Sequence, residues 1–182
     1  MANNKFNEVI VIDLEATCWD TPEEKAVNTS EIIEVGVCVL NVLTGEITKP
    51  MGLIVKPRQS KISPFCESLT TITQAMVDEG MSFERAIEIL KTEYGSRTRM
   101  MAAYGNYDQS MLNSQCEIVQ MKSPFGPTYL NISALATLKL KANKRLGLSA
   151  AMSRFGLTFE GTQHRGVDDA VQAARVLWEI IK

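Results

Sequence analysis

The sequence contains one histidine, four scattered cysteines and no long apolar run. Because the cysteines form no C-x-x-C pair and only one histidine could join them, a zinc finger at the usual ligand spacing is excluded. We therefore expect reduced thiols in a cytoplasmic protein. No apolar stretch approaches the roughly 18 residues that a membrane-spanning helix needs, so we expect no membrane partner.

Positive charge is also scarce, since 19 basic residues face 21 acidic ones and the net charge is −2. Proteins that bind nucleic acid by charge alone are usually basic. One local exception is a basic cluster of Lys139, Lys141, Lys144 and Arg145. This cluster is either a phosphate-binding surface or an ordinary solvated face, and the sequence leaves both open. A site that binds divalent cations through carboxylates would itself be acidic.

The length and the 45% apolar content suit one globular domain, residues 1–182. Short runs rich in β-branched residues predict strands at Val9–Leu14, Ile32–Leu40 and Ile47–Lys56. Gly45 permits a tight return between the second and third runs. Pro50 cannot donate a ladder hydrogen bond, so the third strand is expected at a sheet edge. These runs predict an antiparallel meander.

Strands and helices alternate in the rest of the chain. Ser82 is the expected N-cap of a helix that ends near Gly95, and Ser133 is the expected cap of a later one. The remaining predicted elements are strands at Arg99–Tyr104 and Tyr129–Ile132, helices at Tyr107–Glu117 and Ser149–Phe155, and a final helix with Val167, Ala170, Val171, Ala174, Leu177, Trp178 and Ile181 on one face. An α/β fold with a mixed five-stranded sheet follows, with helices on both faces.

Two acidic residues end the first predicted strand, Asp13 and Glu15. Because side chains alternate along a strand, residues two apart lie on the same face. The carboxylates therefore converge at the carboxyl end of the strand, where open α/β sheets usually bind ligands. Alone, this pattern also fits two solvated carboxylates.

Two further acidic segments begin predicted helices. His164-Arg-Gly-Val-Asp-Asp169 leads into the last helix and contains the only histidine, and Gly105-Asn-Tyr-Asp108 opens an earlier one. Acidic residues in a first turn also complement the helix dipole without any catalytic role. The order of these segments, and their common placement at element ends, make them informative together.

The chain resembles the DEDDh 3′–5′ exonuclease superfamily, and within it the Eri-type exoribonucleases and the bacterial KapD-like exonucleases. The segments that carry the resemblance are Val11-Ile-Asp13-Leu-Glu15-Ala-Thr-Cys18, Glu31-Ile-Ile-Glu34-Val-Gly, Cys66-Glu-Ser-Leu69-Thr-Thr-Ile72-Thr-Gln74, Gly105-Asn-Tyr-Asp108, Leu146-Gly-Leu148, Phe159-Glu-Gly161 and His164–Asp169. Together they extend over nearly the whole chain. The resemblance implies an RNase H-like three-layer fold.

The resemblance also implies a mechanism and a set of site residues. The four carboxylates of Asp13, Glu15, Asp108 and Asp169 would hold two divalent ions, Mg²⁺ or Mn²⁺, and His164 would be the general base. Backbone amides of Ala16 and Thr17 would meet the terminal sugar, Leu69 would lie near the last base, and Tyr107 would stack on it. The expected reaction releases 5′-mononucleotides from the 3′ end of single-stranded nucleic acid, with RNA preferred.

Two residues depart from the family pattern. Thr71 occupies a position where relatives commonly have glycine, and Tyr107 one where Eri-type relatives often have tryptophan. Two other functions remain open at this point. The chain could be a DNA-directed exonuclease, or a KapD-like regulatory module in which catalysis is secondary.

Overall fold

The computed structural model describes residues 7–182, which form a five-stranded sheet with helices on both faces. The strands are β1 (Glu8–Ala16), β2 (Ile32–Asn41), β3 (Ile47–Ile54), β4 (Met100–Ala103) and β5 (Tyr129–Asn131). The helices are α1 (Pro22–Val27), α2 (Pro64–Thr70), α3 (Gln74–Asp78), α4 (Phe83–Thr92), α5 (Tyr107–Ile118), α6 (Ile132–Lys139), α7 (Leu148–Arg154) and α8 (Gly166–Ile181). The predicted α/β class and sheet composition are confirmed.

The sheet is mixed, with the strand order β3-β2-β1-β4-β5. Strands β1, β2 and β3 form the predicted antiparallel meander, whereas β4 and β5 run parallel to β1. Pro50 lies in β3 at the edge, as expected of a residue without an amide hydrogen. Each of the five strands lies within two residues of its predicted bounds at either end.

Residues of β1 divide the interior into two apolar layers. Ile10, Ile12 and Leu14 pack on the side of α4 and α5, whereas Val9 and Val11 pack on the side of α6, α7 and α8. The alternation follows from the two-residue period of a strand. Because both faces are covered, the central strands contain almost continuous apolar runs.

Helix α8 approaches the sheet unusually closely at its first residue. A β-carbon on Gly36 of β2 would lie 1.8 Å from the carbonyl carbon of Gly166, and one on Gly166 would lie 2.9 Å from the Asp13 carbonyl oxygen. No larger residue fits at either position without displacing backbone. The start of α8 is therefore fixed against β1 and β2.

Most helix predictions hold, with one wrong cap. Ser82 caps α4 as predicted, accepting a hydrogen bond from the Arg85 amide. Ser133 does not cap α6: Asn131 does, through the Ala134 amide at 3.0 Å. Ser133 lies inside the helix, and its hydroxyl donates to the Leu146 carbonyl instead. Helix α7 begins one residue earlier than predicted, at Leu148.

Helix α8 buries a wider face than the sequence predicts. Ala170, Ala174 and Leu177 are buried as expected, but Ala173 and Val176 are buried too. Because α8 lies on the sheet and is flanked by α6 and α7, it buries more than a single stripe. Ile181, placed on the predicted face, is exposed at the helix end.

No helix within residues 7–182 combines the length and the apolar composition needed to traverse a lipid bilayer.

Thr71 ends α2 in a left-handed conformation, with φ 61° and ψ 7°. This backbone costs an L-residue roughly 1–2 kcal/mol, and β-branched residues tolerate it poorly. Thr71 is exposed, so its side chain contributes little packing.

Thr71→Gly should therefore raise the free energy of unfolding by about 1 kcal/mol and the melting temperature by roughly 2–4 °C. Thermal unfolding by circular dichroism measures this change. Thr71→Ala is the matched control, since it removes the hydroxyl and keeps the β-carbon. An equal gain from alanine would show that backbone strain is not the cause.

Candidate active site

Strand β1 brings Asp13 and Glu15 onto the same face as α8. In the antiparallel register, Asp13 lies opposite Gly36 and Glu15 lies opposite Glu34. The absence of a side chain at Gly36 admits the first residue of α8, directly beside the two carboxylates. The two-residue spacing thus places both acids at the start of α8.

Asp108 joins the site from the first turn of α5. Strand β4 pairs with β1 only along Val9–Val11, so beyond this point β1 has no strand neighbour on that side. The Leu14 amide, between the two acids of β1, donates to Asp108 Oδ1 at 2.9 Å. This buried hydrogen bond satisfies the amide and fixes the Asp108 carboxylate beside the strand.

His164 and Asp169 come from the start of α8. The His164 amide donates to Asp169 Oδ2 at 2.7 Å, and its backbone is left-handed, with φ 61°. Ligand atoms of Glu15, His164 and Asp169 all lie within 4.8 Å of one another. Asp169 is buried in the helix turn, whereas the His164 side chain is exposed. The imidazole is therefore accessible to a molecule arriving from solvent.

A buried ion pair supports the start of α8, and sequence reasoning did not assign it a role. Glu34 is 0% exposed and accepts hydrogen bonds from Arg165 Nε at 3.1 Å and the Gly166 amide at 2.9 Å. The carboxylate thereby caps a helix that lacks a side-chain N-cap. Its signal was a glutamate within the otherwise apolar β2.

The carboxyl groups of the site are partly withdrawn from solvent and repel one another. Burial, followed by the neighbouring carboxylates, raises the pKa of Asp13 well above its ordinary value and that of Glu15 to about 8. Burial also raises the pKa of Asp108 to about 6, although the hydrogen bond from the Leu14 amide opposes this rise. Burial likewise raises the pKa of Asp169, although the hydrogen bond from the His164 amide opposes this rise.

These residues fit a divalent cation site. Buried carboxylates that repel one another lack the positive charge that would stabilise their ionised forms. Their oxygen atoms are the hard ligands that Mg²⁺ and Mn²⁺ prefer. The carboxylates of Asp13, Glu15, Asp108 and Asp169 are those that would hold such ions.

The four residues expected to contact the substrate differ in their accessibility. Tyr107 is 57% exposed next to Asp108, and Leu69 is half-buried on α2. Ala16 and Thr17 are both buried. The Thr17 amide donates to the Glu31 carbonyl at 2.9 Å and the Thr17 hydroxyl accepts from the Glu31 amide. The Thr17 amide is therefore already used within the protein, and a contact of Thr17 with the terminal sugar stays a prediction.

Helix α2 is attached to the residues that follow β1. The Ser63 hydroxyl donates to the Cys18 carbonyl at 2.6 Å, and Cys66 Sγ lies 3.7 Å from the Ala16 carbonyl oxygen. Leu69 is one helical turn beyond Cys66 on this helix. These contacts hold the α2 segment close to the carboxylate cluster, although Leu69 does not belong to the cluster itself.

A family model described as an exonuclease, that of RNase T, matches residues 10–177. The chain belongs to this exonuclease family. The resemblance to exonucleases inferred from the sequence is therefore confirmed at the family level.

Individual relatives narrow the comparison. The human protein named ERI1 exoribonuclease 2 is 32% identical over 97% of this chain and 29% of its own length. The probable 3′–5′ exonuclease KapD of Bacillus subtilis is 28% identical over 93% of this chain and 82% of its own. A solved nuclease domain of 3′hExo, described as a DEDDh family member bound to rAMP, matches with a TM-score of 0.84 and 30% identity over 97% of this chain and 92% of that one.

The chain spans only about 29% of the length of the first of these relatives. The correspondence is therefore with a nuclease domain.

The pKa shifts predict how stability depends on pH in the metal-free protein. A carboxyl group with a raised folded-state pKa stabilises the fold at low pH, and this contribution is lost as the pH rises. The loss should begin near the ordinary carboxyl value of about 4 and continue through about 6 for Asp108 and about 8 for Glu15.

Asp13→Asn removes one charge from the cluster. In metal-free buffer at pH 8 it should increase the free energy of unfolding by on the order of 1 kcal/mol, or roughly 2–4 °C in melting temperature. The gain should shrink as the pH is lowered, because the raised pKa of Asp13 favours its neutral form. Asp20→Asn, an exposed acid outside the cluster, is the control and should change little. A pH-independent gain would contradict the proposed origin of the effect.

Proposed function

We propose that this chain is a metal-dependent 3′–5′ exonuclease that releases 5′-mononucleotides from the 3′ end of single-stranded nucleic acid, with RNA preferred. One observation carries the proposal: Asp13, Glu15, Asp108 and Asp169 converge at the carboxyl end of β1 in a chain of the exonuclease family, with His164 beside them. A non-catalytic regulatory module would not need to retain all five residues.

The preference for RNA is supported by the relatives. Two human proteins that match this chain at 31–32% identity are named exoribonucleases, and the solved nuclease domain of 3′hExo contains rAMP. Chemically, the carboxylate cluster serves hydrolysis of either nucleic acid, so DNA is the alternative substrate.

In the proposed reaction, Asp13, Glu15, Asp108 and Asp169 would hold two Mg²⁺ or Mn²⁺ ions. Such ions, when bound, supply positive charge that polarises phosphate oxygens and favours deprotonation of water. The hydrogen bond from the Leu14 amide fixes the Asp108 carboxylate, and the Glu34–Arg165 pair fixes the start of α8. His164, exposed at the cluster, accepts the proton of the attacking water at an imidazole nitrogen.

Tyr107 is the proposed stacking residue for the terminal base. Tyr107 is partly exposed, and partial desolvation together with the Asp108 and Glu15 carboxylates raises the pKa of its phenol to about 12. The ring therefore stays neutral at physiological pH. Stacking on an aromatic ring tolerates any base, as exonuclease action requires. Leu69 and the Ala16 amide remain proposed contacts of the terminal nucleotide.

Two further statements belong to the proposal. We place residues 1–182 in one nuclease domain, because the family match and both apolar layers extend across the sheet. We also propose a cytoplasmic location, which is supported by four free thiols, three of them buried.

Digestion of a 5′-labelled single-stranded oligonucleotide tests the activity. With Mg²⁺ or Mn²⁺ the products should shorten progressively from the 3′ end, and EDTA should abolish the reaction because the carboxylates then lack their cations. Matched RNA and DNA oligomers should show faster degradation of RNA. Full activity in EDTA would disprove the metal-dependent reaction, whereas faster DNA hydrolysis would make DNA the substrate.

Removal of the general base tests His164. His164→Asn should lower turnover roughly 10²–10⁴-fold, because a general base contributes about that much. Asparagine tolerates the left-handed backbone of this position better than most residues, so the fold should be preserved. Single-turnover rates across a range of pH measure the loss.

Metal affinity, measured by calorimetry, should change less than turnover in His164→Asn. Wild-type turnover by a well-folded His164→Asn protein would remove the histidine from the mechanism, even if all four carboxylates proved essential.

A further inference from the structure

Arg145 lies at the same end of the sheet as the carboxylate cluster, namely at the carboxyl ends of β1 and β4. A β-carbon on Gly105, the residue two positions after β4, would lie 2.9 Å from a guanidinium nitrogen of Arg145. Because β4 is parallel to β1 and adjacent to it, its carboxyl end faces the same side at a spacing of about 4.8 Å. The guanidinium therefore lies over the segment that leads to Asp108.

The position of Arg145 is fixed by the protein. Its Nε donates to the Ser133 hydroxyl at 3.1 Å, and Ser133 is 2% exposed. The residues after it are held as well, since the Tyr104 hydroxyl lies 3.1 Å from the Leu146 carbonyl oxygen and 3.3 Å from that of Gly147. These five residues surround a shallow cavity of about 230 Å³.

Arg145 has no ion-pair partner in the part of the chain that the structure describes. Arg58, Arg99, Arg165 and Arg175 each form an ion pair, whereas no carboxylate among residues 7–182 lies within 4.0 Å of Arg145. Only its Nε takes part in a protein hydrogen bond in that range. The terminal nitrogens are thus available to an anion, and a guanidinium binds phosphate through paired donors.

The charges of Asp108 and Arg145 both affect the phenol of Tyr129. Burial and the Asp108 carboxylate raise its pKa to about 12, while Arg145 acts in the opposite direction. Its hydroxyl is buried and has no hydrogen-bond partner among the described residues. Asp108 and Arg145 therefore both act electrostatically on this side chain.

The basic cluster of the sequence is divided by the fold. Lys139 donates to the Ile180 carbonyl at the carboxyl end of α8. At 1.5 Å per residue, Ile180 is about 16 Å along the helix from Asp169. Arg145, by contrast, lies beside Gly105 at the carboxyl end of β4. Lys139 and Arg145 are six positions apart in sequence, yet only Arg145 of this pair lies near the segment that leads to Asp108.

We propose that Arg145 binds a backbone phosphate of the nucleic acid upstream of the terminal nucleotide. This inference rests on the proposed exonuclease function, since the phosphate belongs to the strand whose 3′ end occupies the carboxylate cluster. Arg145 would lengthen the binding site beyond that cluster. It would act on affinity for an oligonucleotide and not on the chemistry at the scissile bond.

Binding of a labelled ten-nucleotide single-stranded RNA tests the contact, with Asp13→Asn as a non-hydrolysing background. Adding Arg145→Gln should weaken binding about fivefold at 0.1 M salt and reduce the salt slope by about 0.7, as expected for one lost phosphate contact on a single strand. Lys139→Gln removes the same charge from the same segment and should leave the Kd unchanged. Arg145→Lys should recover most of the affinity.

The proposal would be overturned if Arg145→Gln bound the RNA as tightly as its parent protein. It would also be overturned if Arg145→Gln and Lys139→Gln lost affinity to the same extent. A loss in Arg145→Gln that Arg145→Lys fails to restore, with a lowered melting temperature, would also overturn it and assign the arginine to loop stability.

A nitrophenyl ester of a nucleoside 5′-monophosphate separates this proposal from the proposed function. It contains the scissile phosphodiester but no upstream phosphate, so proteins with and without Arg145→Gln should hydrolyse it equally in the otherwise wild-type chain. If the wild-type chain hydrolysed neither the ester nor the oligonucleotide, the proposed exonuclease function would be disproved. The Kd comparison would still decide the role of Arg145.

Discussion

The backbone contact between Gly36 and Gly166 is the constraint on which the site depends. With a β-carbon on Gly36 placed 1.8 Å from the carbonyl carbon of Gly166, only two glycines permit α8 to start against the sheet. That position brings Asp169, one turn into the helix, to the carboxylates of β1. It also delivers the Gly166 amide to the buried Glu34 carboxylate. A larger residue at either glycine would shift the helix, and with it His164 and Asp169.

The same contact creates an energetic conflict that the rest of the fold must offset. Buried carboxylates oppose folding when ionised, as the raised pKa values of Glu15 and Asp108 show. Two apolar layers on either side of the sheet supply the opposing stability. Cation binding should accordingly release protons from the cluster.

The sequence predicts the strands well because each has a strong local signal. Alternation places Asp13 and Glu15 on one face, and Pro50 identifies the edge. Short helices carry less signal: α1 was missed although Thr21 and Glu24 form a capping box around Pro22. Glu34 could not be assigned, because its partner Arg165 lies 131 positions away and only the fold unites them. The left-handed backbone at Thr71, by contrast, agrees with the glycine that the family resemblance led us to expect there.

An acidic chain can still bind an anionic polymer, because only charges near the site act on it. At physiological salt, exposed charges farther than about 8 Å are largely screened, so the net charge of −2 says little about the approach of a strand. The ammonium group of Lys139 donates to the Ile180 carbonyl at the carboxyl end of α8. Arg145 has no ion-pair partner among the described residues and lies at the carboxyl end of β4. Tyr107 is exposed beside Asp108 in the first turn of α5, which the Gly105 segment leads into. The sign of the local charge therefore changes along this end of the sheet, from carboxylates that suit cations to a guanidinium that suits phosphate.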